Sequence, residues 1–216
     1  MSRSHSRRPR RIGVFGGTFD PPHLGHLALA ESARDELGLS RVLFVPAADP
    51  PHKRSRSMSS LAHRLAMTRL AVRGLPGFAV SDLEARRPGP SYTVETLRQL
   101  ERRHPRAELW LLLGEDSLRD LTNWREPREI LALARIAVAS RPARRPTKLR
   151  RGDAARRGGR PARIPERHIT WLSGPLLDIS SSDLRARARR GGSLRILVPD
   201  AVARYALRHR LYHGSS

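Results

Sequence analysis

Short apolar runs alternate with longer amphipathic stretches along most of this chain, and this alternation limits the possible folds more than any other feature. The run 109–113 is wholly apolar, as strands buried on both faces of a parallel sheet are. The stretch 24–37 has the spacing of an amphipathic helix and stops at Gly38, a residue type that often ends helices. Strands that alternate with helices at this spacing predict a parallel sheet with helices on both faces.

The same reasoning places strands and helices along the whole chain. Strands are predicted at 11–15, 42–45, 78–81, 109–113, 135–139 and 168–172. Helices are predicted at 24–37, 60–72, 93–103, 127–133, 182–190 and 200–207. The predicted fold class is therefore α/β, with a single domain built on a Rossmann-like, doubly wound parallel sheet. Ligands of such sheets bind at the carboxyl ends of the strands, so the loops after the first strand and after residue 113 form the candidate site.

The composition excludes several kinds of site and partner. With 216 residues the chain is expected to form one domain, and without cysteine it can hold no disulfide, thiolate zinc site or cysteine nucleophile. Lys plus Arg number 42 against 20 Asp plus Glu, and the net charge of +22 favours polyanionic partners such as nucleotides, nucleic acid or an acidic membrane. No stretch approaches the roughly 20 apolar residues of a membrane span, and the apolar run after the basic start is too short for a secretory signal. A cytoplasmic location without membrane attachment is expected.

The excess positive charge is concentrated in two segments. Residues 1–11 are predicted to be a flexible basic tail and residues 141–167 a flexible Arg-rich insertion, because neither has enough large apolar residues to offset the entropy lost on ordering. The domain itself is expected to span 12–213. Neither segment has the interleaved aromatic residues of a single-strand binder, so nucleic acid is not expected as a partner. An RNA-binding protein that uses these segments is the alternative from another class, and the oligomeric state stays open.

The loop after the first strand has the composition of a phosphate site. Gly16 and Gly17 let the backbone approach a ligand closely, and the helix that follows offers unpaired N–H groups at its positive end. His23 and His26 are three residues apart, so both lie on one side of the first helical turn, where they suit stabilising charge on a phosphoryl group. A Gly/Pro turn with two surface histidines, or a zinc site, is the alternative. Asp20 is the only nearby carboxylate and the loop has no third His and no Cys, so no protein-held metal is expected.

A serine cluster opens a predicted helix further along the chain. Ser180, Ser181 and Ser182 can cap the free N–H groups of that helix start, or bind phosphate there. Arg185 lies one turn into the helix, where its planar guanidinium can reach the same anion. Taken alone, this segment is equally typical of an ordinary Ser-capped basic helix.

Together these two segments resemble motifs of a known enzyme superfamily. The first loop matches the Gly-x-Phe-x-Pro-x-His-x-Gly-His signature of adenylyl- and cytidylyltransferases, whose fold is similar to the catalytic domain of class I aminoacyl-tRNA synthetases. The matching residues are Gly17, Phe19, Pro21, His23, Gly25 and His26. The segment 179–185 is similar to the Ile-Ser-Ser-x-x-x-Arg element that holds ATP phosphates in the same superfamily.

Further segments narrow the resemblance to the bacterial nicotinate mononucleotide adenylyltransferases. These are 50–53, 89–93, 114–117 with Trp124, and 198–212. The resemblance implies transfer of AMP from ATP to the 5′-phosphate of nicotinate mononucleotide, which yields nicotinate adenine dinucleotide and pyrophosphate in NAD biosynthesis. It also implies in-line attack without a covalent intermediate, and Mg²⁺ carried with ATP as the cofactor. The same chemistry on nicotinamide mononucleotide is the alternative within this class.

The resemblance assigns roles to residues of this chain. The catalytic group is His26, for the α-phosphate, together with His23, Lys53 and Arg185. The ATP-binding residues beside them are Gly16, Gly17, Thr18, Phe19, Gly114, Asp116, Ile179, Ser181 and Ser182. The mononucleotide-binding residues are Ser91, Tyr92, Thr93, Trp124 and Arg125. Glu115 departs from the family pattern, which leads us to expect a small residue at that position.

Overall fold

The computed structural model describes residues 10–50, 58–139, 164–175 and 177–212. The predicted tail up to residue 9, Lys53 and the predicted insertion from 141 to 163 lie outside these residues. The strands are β1 (Arg10–Gly17), β2 (Arg41–Pro46), β3 (Phe78–Val80), β4 (Ala107–Gly114), β5 (Arg135–Ala139) and β6 (Ile169–Leu172). The helices are α1 (Leu24–Leu37), α2 (Leu61–Val72), α3 (Thr93–Arg103), α4 (Glu115–Asp120), α5 (Pro127–Leu133), α6 (Ser181–Arg189) and α7 (Asp200–Arg208). None of the described helices has the length and apolar character needed to cross a membrane.

The strands form one parallel sheet in the order β3-β2-β1-β4-β5-β6. β1 lies between β2 and β4, so Val14 pairs with Leu43 on one side and with Leu111 on the other. The strand order reverses at β1 and β4, and ligands of doubly wound sheets bind at this switch point. The predicted fold class is confirmed.

Side chains of the central strands alternate between two hydrophobic layers, one on each face of the sheet. Along β4, Leu109, Leu111 and Leu113 join the layer that contains α3 and α5. Trp110 and Leu112 join the layer that contains α1. The two-residue repeat of a strand produces this alternation, and it explains why the run 109–113 is apolar throughout.

A third hydrophobic cluster attaches the last two helices to the rest of the fold. It joins Met67 of α2 to Leu184 of α6 and Val202 of α7. Because α2 also packs against β2 and β3, this cluster fixes the position of α6 relative to the sheet. The serine-rich start of α6 is therefore placed by buried contacts on α2 and α7.

Several predicted boundaries are wrong by one or a few residues. β1 includes Arg10 and Arg11, which were assigned to the flexible tail, because both residues pair with β4. The predicted Arg-rich insertion ends too late, since 166–168 form a 3-10 turn that leads into β6. α6 begins one residue early because Ser180 Oγ accepts the Asp183 N–H and caps the helix. α4 is missing from the predicted helices because six residues are too short for an apolar repeat.

Candidate active site

The loop after β1 and the start of α6 meet at the carboxyl edge of the sheet. Ser181 Oγ donates a hydrogen bond to the Pro21 carbonyl at 2.9 Å, and Arg185 Nη1 donates to the Asp20 carbonyl at 2.8 Å. These pairs are 160 and 165 positions apart in the chain. The two segments that the sequence singles out therefore form one site.

A cavity of about 450 Å³ lies between these segments and the end of β4. Its walls include both histidines of the first loop and the serines of α6. The predicted ATP-binding and catalytic residues that line it are Gly16, Gly17, Thr18, His23, His26, Gly114, Asp116, Ile179, Ser181, Ser182 and Arg185. Apolar walls are added by Phe15, Leu29, Ala139 and Leu177. The cavity thus combines hydrogen-bond donors with a surface suited to an aromatic ring.

The two histidines at the start of α1 are held in a fixed relation to each other. Their rings stack, with centroids 3.6 Å apart and an angle of 23° between the planes. The His23 backbone N–H donates to His26 Nδ1 at 3.2 Å, so Nδ1 is an acceptor and the proton of the neutral ring resides on Nε2. The N–H at Nε2 is therefore the donor that His26 can offer to an anion.

Phe19, which was predicted to bind ATP, is buried beside the cavity instead of lining it. Its ring is 1% exposed and packs edge-on against His26 with the ring centroids 5.0 Å apart. A Cβ atom on Gly17 would come within 3.0 Å of the Phe19 ring, so only glycine fits there without a shift. Phe19 therefore supports the His26 ring from the protein interior.

Gly25 allows α1 to approach the segment that precedes α6. A Cβ atom at this position would lie 3.0 Å from the Leu177 carbonyl oxygen and 3.1 Å from His23 Nδ1. Both contacts are tighter than ordinary van der Waals distances. The glycine of the histidine motif is thus explained by close packing between the two halves of the cavity.

Arg185 is anchored at one end and has a further donor available. Its Nη1 bonds the Asp20 carbonyl, whereas Nε is buried and has no hydrogen-bond partner in the described part of the chain. A buried donor without a partner costs about 1–3 kcal/mol, which a bound anion can recover. Beside it, Ser182 Oγ lies 3.0 Å from the capping Ser180 Oγ. This end of the cavity is suited to phosphate.

Arg64 is a structural residue of the site that no sequence pattern indicates. It is 1% exposed and donates to the carbonyls of Thr18, Ala47 and Ser59 at 3.0, 2.7 and 3.1 Å. Burial lowers the pKa of its guanidinium, and nearby Asp20 partly offsets this effect. Arg64 ties the loops after β1 and β2 to the start of α2.

Asp20 is buried in the first loop, and both of its carboxylate oxygens accept hydrogen bonds. The donors are Tyr212 Oη at 2.6 Å and the Ser59 N–H at 3.0 Å. Burial, together with the charge of Asp20, raises the pKa of Tyr212 well above its usual range, so the phenol stays protonated. The carboxylate of Asp20 is therefore held in one orientation by two donors. In the residues that the structure describes, no group of three or more His, Cys, Asp or Glu side chains could hold a metal ion.

The residues predicted to bind the mononucleotide gather around the start of α3 and do not line the 450 Å³ cavity. Tyr92 and Trp124 pack against the same hydrophobic layer under α3 and α5. The Arg125 guanidinium lies 4.7 Å from the centre of the Tyr92 ring, as in a cation–π contact. Thr93 is the first residue of α3, so its N–H is one of the free donors of the helix start.

Ser91 connects this group to the sheet. Its Oγ accepts the N–H groups of Ala48 and Asp49 at 2.9 and 3.1 Å, and its own N–H donates to the Asp49 carbonyl. The loop after β2 is thereby fixed to the residues before α3. These bonds give Ser91 a supporting role in the group, and its contact with the mononucleotide stays a prediction.

The acidic pair after β4 is placed at the cavity. Glu115, where a small residue was expected, lines the cavity and its carboxylate pairs with Arg119 one turn later in α4. Asp116 also lines the cavity, in the first turn of α4, whereas Gly114 occupies the N-cap position. The extra carboxylate of Glu115 is therefore neutralised within the helix.

Comparisons with known proteins identify the family and the fold of this chain. The cytidylyltransferase-like family model matches residues 14–187. A "probable nicotinate-nucleotide adenylyltransferase" of Thermomicrobium roseum is 48% identical over 204 residues, which cover 94% of this chain and 91% of that protein. One of Synechococcus sp. is 46% identical, with coverages of 94% and 95%. The fold is similar to that of a Plasmodium falciparum nicotinic acid mononucleotide adenylyltransferase complexed with NaAD, at a TM-score of 0.72, 18% identity and coverages of 94% and 97%.

Proposed function

The chain belongs to the cytidylyltransferase-like family and, within it, to the nicotinate-nucleotide adenylyltransferases, and we propose on this basis that it transfers AMP from ATP to nicotinate mononucleotide. The products are nicotinate adenine dinucleotide and pyrophosphate, in NAD biosynthesis. One observation carries the proposal beyond family membership. The paired imidazoles of α1 and the Ser–Arg start of α6 line one cavity at the switch point of the sheet.

The reaction requires little acid–base chemistry from the protein. The second pKa of a phosphate monoester is about 6, so the attacking phosphate is largely ionised at neutral pH. One of its oxygens forms a bond to the α-phosphorus of ATP, while the bond to the bridging oxygen breaks and the electron pair leaves with pyrophosphate. Alignment of the two nucleotides and stabilisation of the developing charge are what the site must supply.

The phosphate-facing residues have the chemistry for that task. His26 donates from Nε2 to the α-phosphate, and His23 supports the triphosphate from the adjacent stacked ring. The guanidinium of Arg185, which lines the cavity, binds the β- and γ-phosphates together with Ser181 and Ser182 at the start of α6. Lys53, which lies outside the described residues, is assigned to the same phosphates by its place in the family pattern.

The nucleoside of ATP occupies the other end of the cavity in this proposal. Its apolar walls, with Phe15 and Leu177 among them, suit the adenine ring. Asp116 follows the central strand and accepts hydrogen bonds from ribose hydroxyls, as acidic residues near strand ends do in other nucleotide sites.

The group around Tyr92 is assigned to the acceptor nucleotide. Trp124 offers a flat face to the pyridine ring. The N–H groups at the start of α3, including that of Thr93, suit the nicotinate carboxylate, because a helix N-terminus favours an anion. Arg125, already placed over the Tyr92 ring, adds positive charge beside it.

Magnesium is proposed to enter with ATP. Mg²⁺ prefers oxygen ligands and keeps several waters, so the triphosphate and water can complete its shell with few protein ligands. When bound it neutralises phosphate charge. The engaged oxygens of Asp20 fit a site in which the protein holds the phosphates and the substrate carries the ion.

The test is pyrophosphate release from ATP with nicotinate mononucleotide and, in parallel, with nicotinamide mononucleotide. We expect turnover with the acid to exceed turnover with the amide, because the free N–H groups at the start of α3 favour a carboxylate. Mass spectrometry of the product confirms the dinucleotide. Preference for the amide would overturn the substrate assignment, and no pyrophosphate with either acceptor would overturn the activity. No contact in the described residues favours the RNA-binding alternative.

A further inference from the structure

The segment after α7 reaches back to the first loop through a single side chain. Tyr212 Oη donates to Asp20 Oδ1 at 2.6 Å, across 192 positions of sequence. Asp20 is 1% exposed and Tyr212 is half-buried, so the acceptor of this bond is shielded from bulk water. The other carboxylate oxygen accepts the Ser59 N–H at 3.0 Å. Two segments outside the loop therefore fix the orientation of this one carboxylate.

Asp20 is also the point at which α6 holds the loop. The Asp20 carbonyl accepts from Arg185 Nη1 at 2.8 Å, and the next carbonyl, that of Pro21, accepts from Ser181 Oγ at 2.9 Å. The residue before it, Phe19, has φ of 49°, a conformation that non-glycine residues adopt only when their surroundings hold them. The Tyr212 and Ser59 bonds restrain the Asp20 side chain and, through it, the backbone of this loop. A shift of that backbone would move both carbonyls and, with them, Arg185 and Ser181.

We infer that Tyr212 is a positioning residue for the triphosphate site, which it controls by holding the Asp20 carboxylate and hence the carbonyls that orient Arg185 and Ser181. The inference rests on the proposed function in so far as those two side chains hold ATP phosphates. Tyr212 does not line the cavity, whereas its acceptor Asp20 does, so the effect of Tyr212 passes through Asp20. The phenol is protonated at neutral pH and remains a donor throughout the working range of such an enzyme.

The chain supplies a matched control in a second tyrosine of the same region. Tyr205 of α7 packs against the same third hydrophobic cluster as Tyr212. Its hydroxyl also makes one bond to a distant element, since it lies 3.0 Å from His63 Nδ1 of α2. Tyr205→Phe therefore removes a comparable hydrogen bond without touching Asp20, and Tyr212→Phe removes the bond to Asp20 while the ring stays packed.

The experiment titrates a nonhydrolysable ATP analogue into the wild-type chain and both variants by calorimetry, with Tm measured for each. Loss of a donor to a buried carboxylate is expected to weaken analogue binding about tenfold in Tyr212→Phe. Tyr205→Phe should bind within about twofold of wild type and show a smaller fall in Tm, because its bond is made to a neutral ring and not to a buried carboxylate. In turnover, Tyr212→Phe should lower kcat/KM for ATP while KM for the mononucleotide stays unchanged.

Equal analogue binding by the two variants would overturn the inference, as would a loss in Tyr212→Phe that affects both substrates alike. If Tyr212→Phe does not fold, Asp20→Asn is used instead, because it weakens the same hydrogen-bond acceptor. Unchanged analogue binding by Asp20→Asn would also overturn the inference. The ATP analogue binds in the absence of any mononucleotide. The binding result therefore tests the role of Tyr212 independently of whether the protein uses nicotinate mononucleotide. A tenfold loss in a chain without nicotinate mononucleotide turnover would support the positioning role and overturn the activity.

Discussion

The triphosphate cavity and the group around Tyr92 are built in different ways. In the cavity, hydrogen bonds between distant segments fix the donors, as between Arg185 and the Asp20 carbonyl. Around Tyr92, aromatic rings lie on the hydrophobic layer and a single guanidinium covers one of them. The donors of the cavity are thus set by directional polar contacts, whereas the rings around Tyr92 rest on apolar packing, and Ser91 hydrogen bonds fix the neighbouring loop.

This difference indicates that the cavity and the group around Tyr92 serve different steps, one the chemical step and the other binding. Donors fixed before substrate arrives cost no reorganisation as charge develops on a phosphate, so the cavity is suited to accelerating the chemical step. A packed aromatic surface contributes binding energy that is similar in the ground state and the transition state. Changes in the cavity should therefore lower kcat, whereas changes around Tyr92 should raise KM for the mononucleotide.

The largest effect is expected from His26→Ala. Removal of the Nε2 donor should lower kcat by on the order of 10² or more, by analogy with the loss of an oxyanion donor. KM for the mononucleotide should change little, since that group lies outside the cavity. Steady-state kinetics with both substrates varied separates the effect on kcat from the effect on KM for the mononucleotide. His104→Ala, at the end of α3, is the histidine control. An unchanged kcat would contradict the catalytic role of His26, and the cavity and the group around Tyr92 would then not differ in the way proposed.

An intermediate effect is expected from Trp124→Ala. Loss of an aromatic stacking surface is worth about 1–3 kcal/mol for a base on a ring, so KM for nicotinate mononucleotide should rise about tenfold or more. KM for ATP should stay close to wild type. Trp171→Ala is the matched control, because Trp171 is the 52% exposed tryptophan of β6. A fall in kcat without a rise in KM would contradict the assignment of this group to binding.

The sequence predicts the sheet and the two polar segments well, for identifiable reasons. The apolar run 109–113 indicates a strand that is buried on both faces. The glycines together with His23 and His26 indicate a helix start that can bind phosphate. These signals are local in sequence. The strand-by-strand alternation points to the loops after β1 and after residue 113, whereas the start of α6 is joined to them through the family resemblance.

The sequence does not reveal contacts that depend on the finished fold. Arg64 and Tyr212 act on residues of the first loop only after α2 and α7 have packed. No sequence pattern marks Arg64, and the family segment 198–212 includes Tyr212 without indicating its partner. Phe19 belongs to the signature motif, yet a motif does not say whether a residue touches the ligand or supports one that does. Ser91 Oγ likewise accepts the Ala48 N–H, a contact that the local sequence does not indicate.

The smallest effect concerns a contact outside both regions. Glu36 of α1 accepts hydrogen bonds from the Ser173 N–H, the Ser173 hydroxyl and the Gly174 N–H, which lie after β6 on the way to α6. The Ser173 N–H bond, ahead of the others, lowers the pKa of the Glu36 carboxyl from its ordinary 4.5. A carboxyl with a lowered pKa in the folded state stabilises the fold above its unfolded pKa and loses that contribution as pH falls through its folded pKa.

Glu36→Gln should therefore lower Tm slightly at pH 7, and the difference from wild type should shrink as the pH falls from the ordinary pKa of 4.5 through the lowered pKa of the folded state. ATP binding should stay within about twofold, because the change leaves Asp20 and α6 in place. Thermal melts of both proteins across this range measure the effect, with Glu101→Gln on the exposed face of α3 as the control. A Tm difference that persists or grows in acid would contradict the role of the Glu36 charge. A large loss of ATP affinity would show that the segment after β6 takes part in fixing the cavity, and the two regions would then differ less than their contacts indicate.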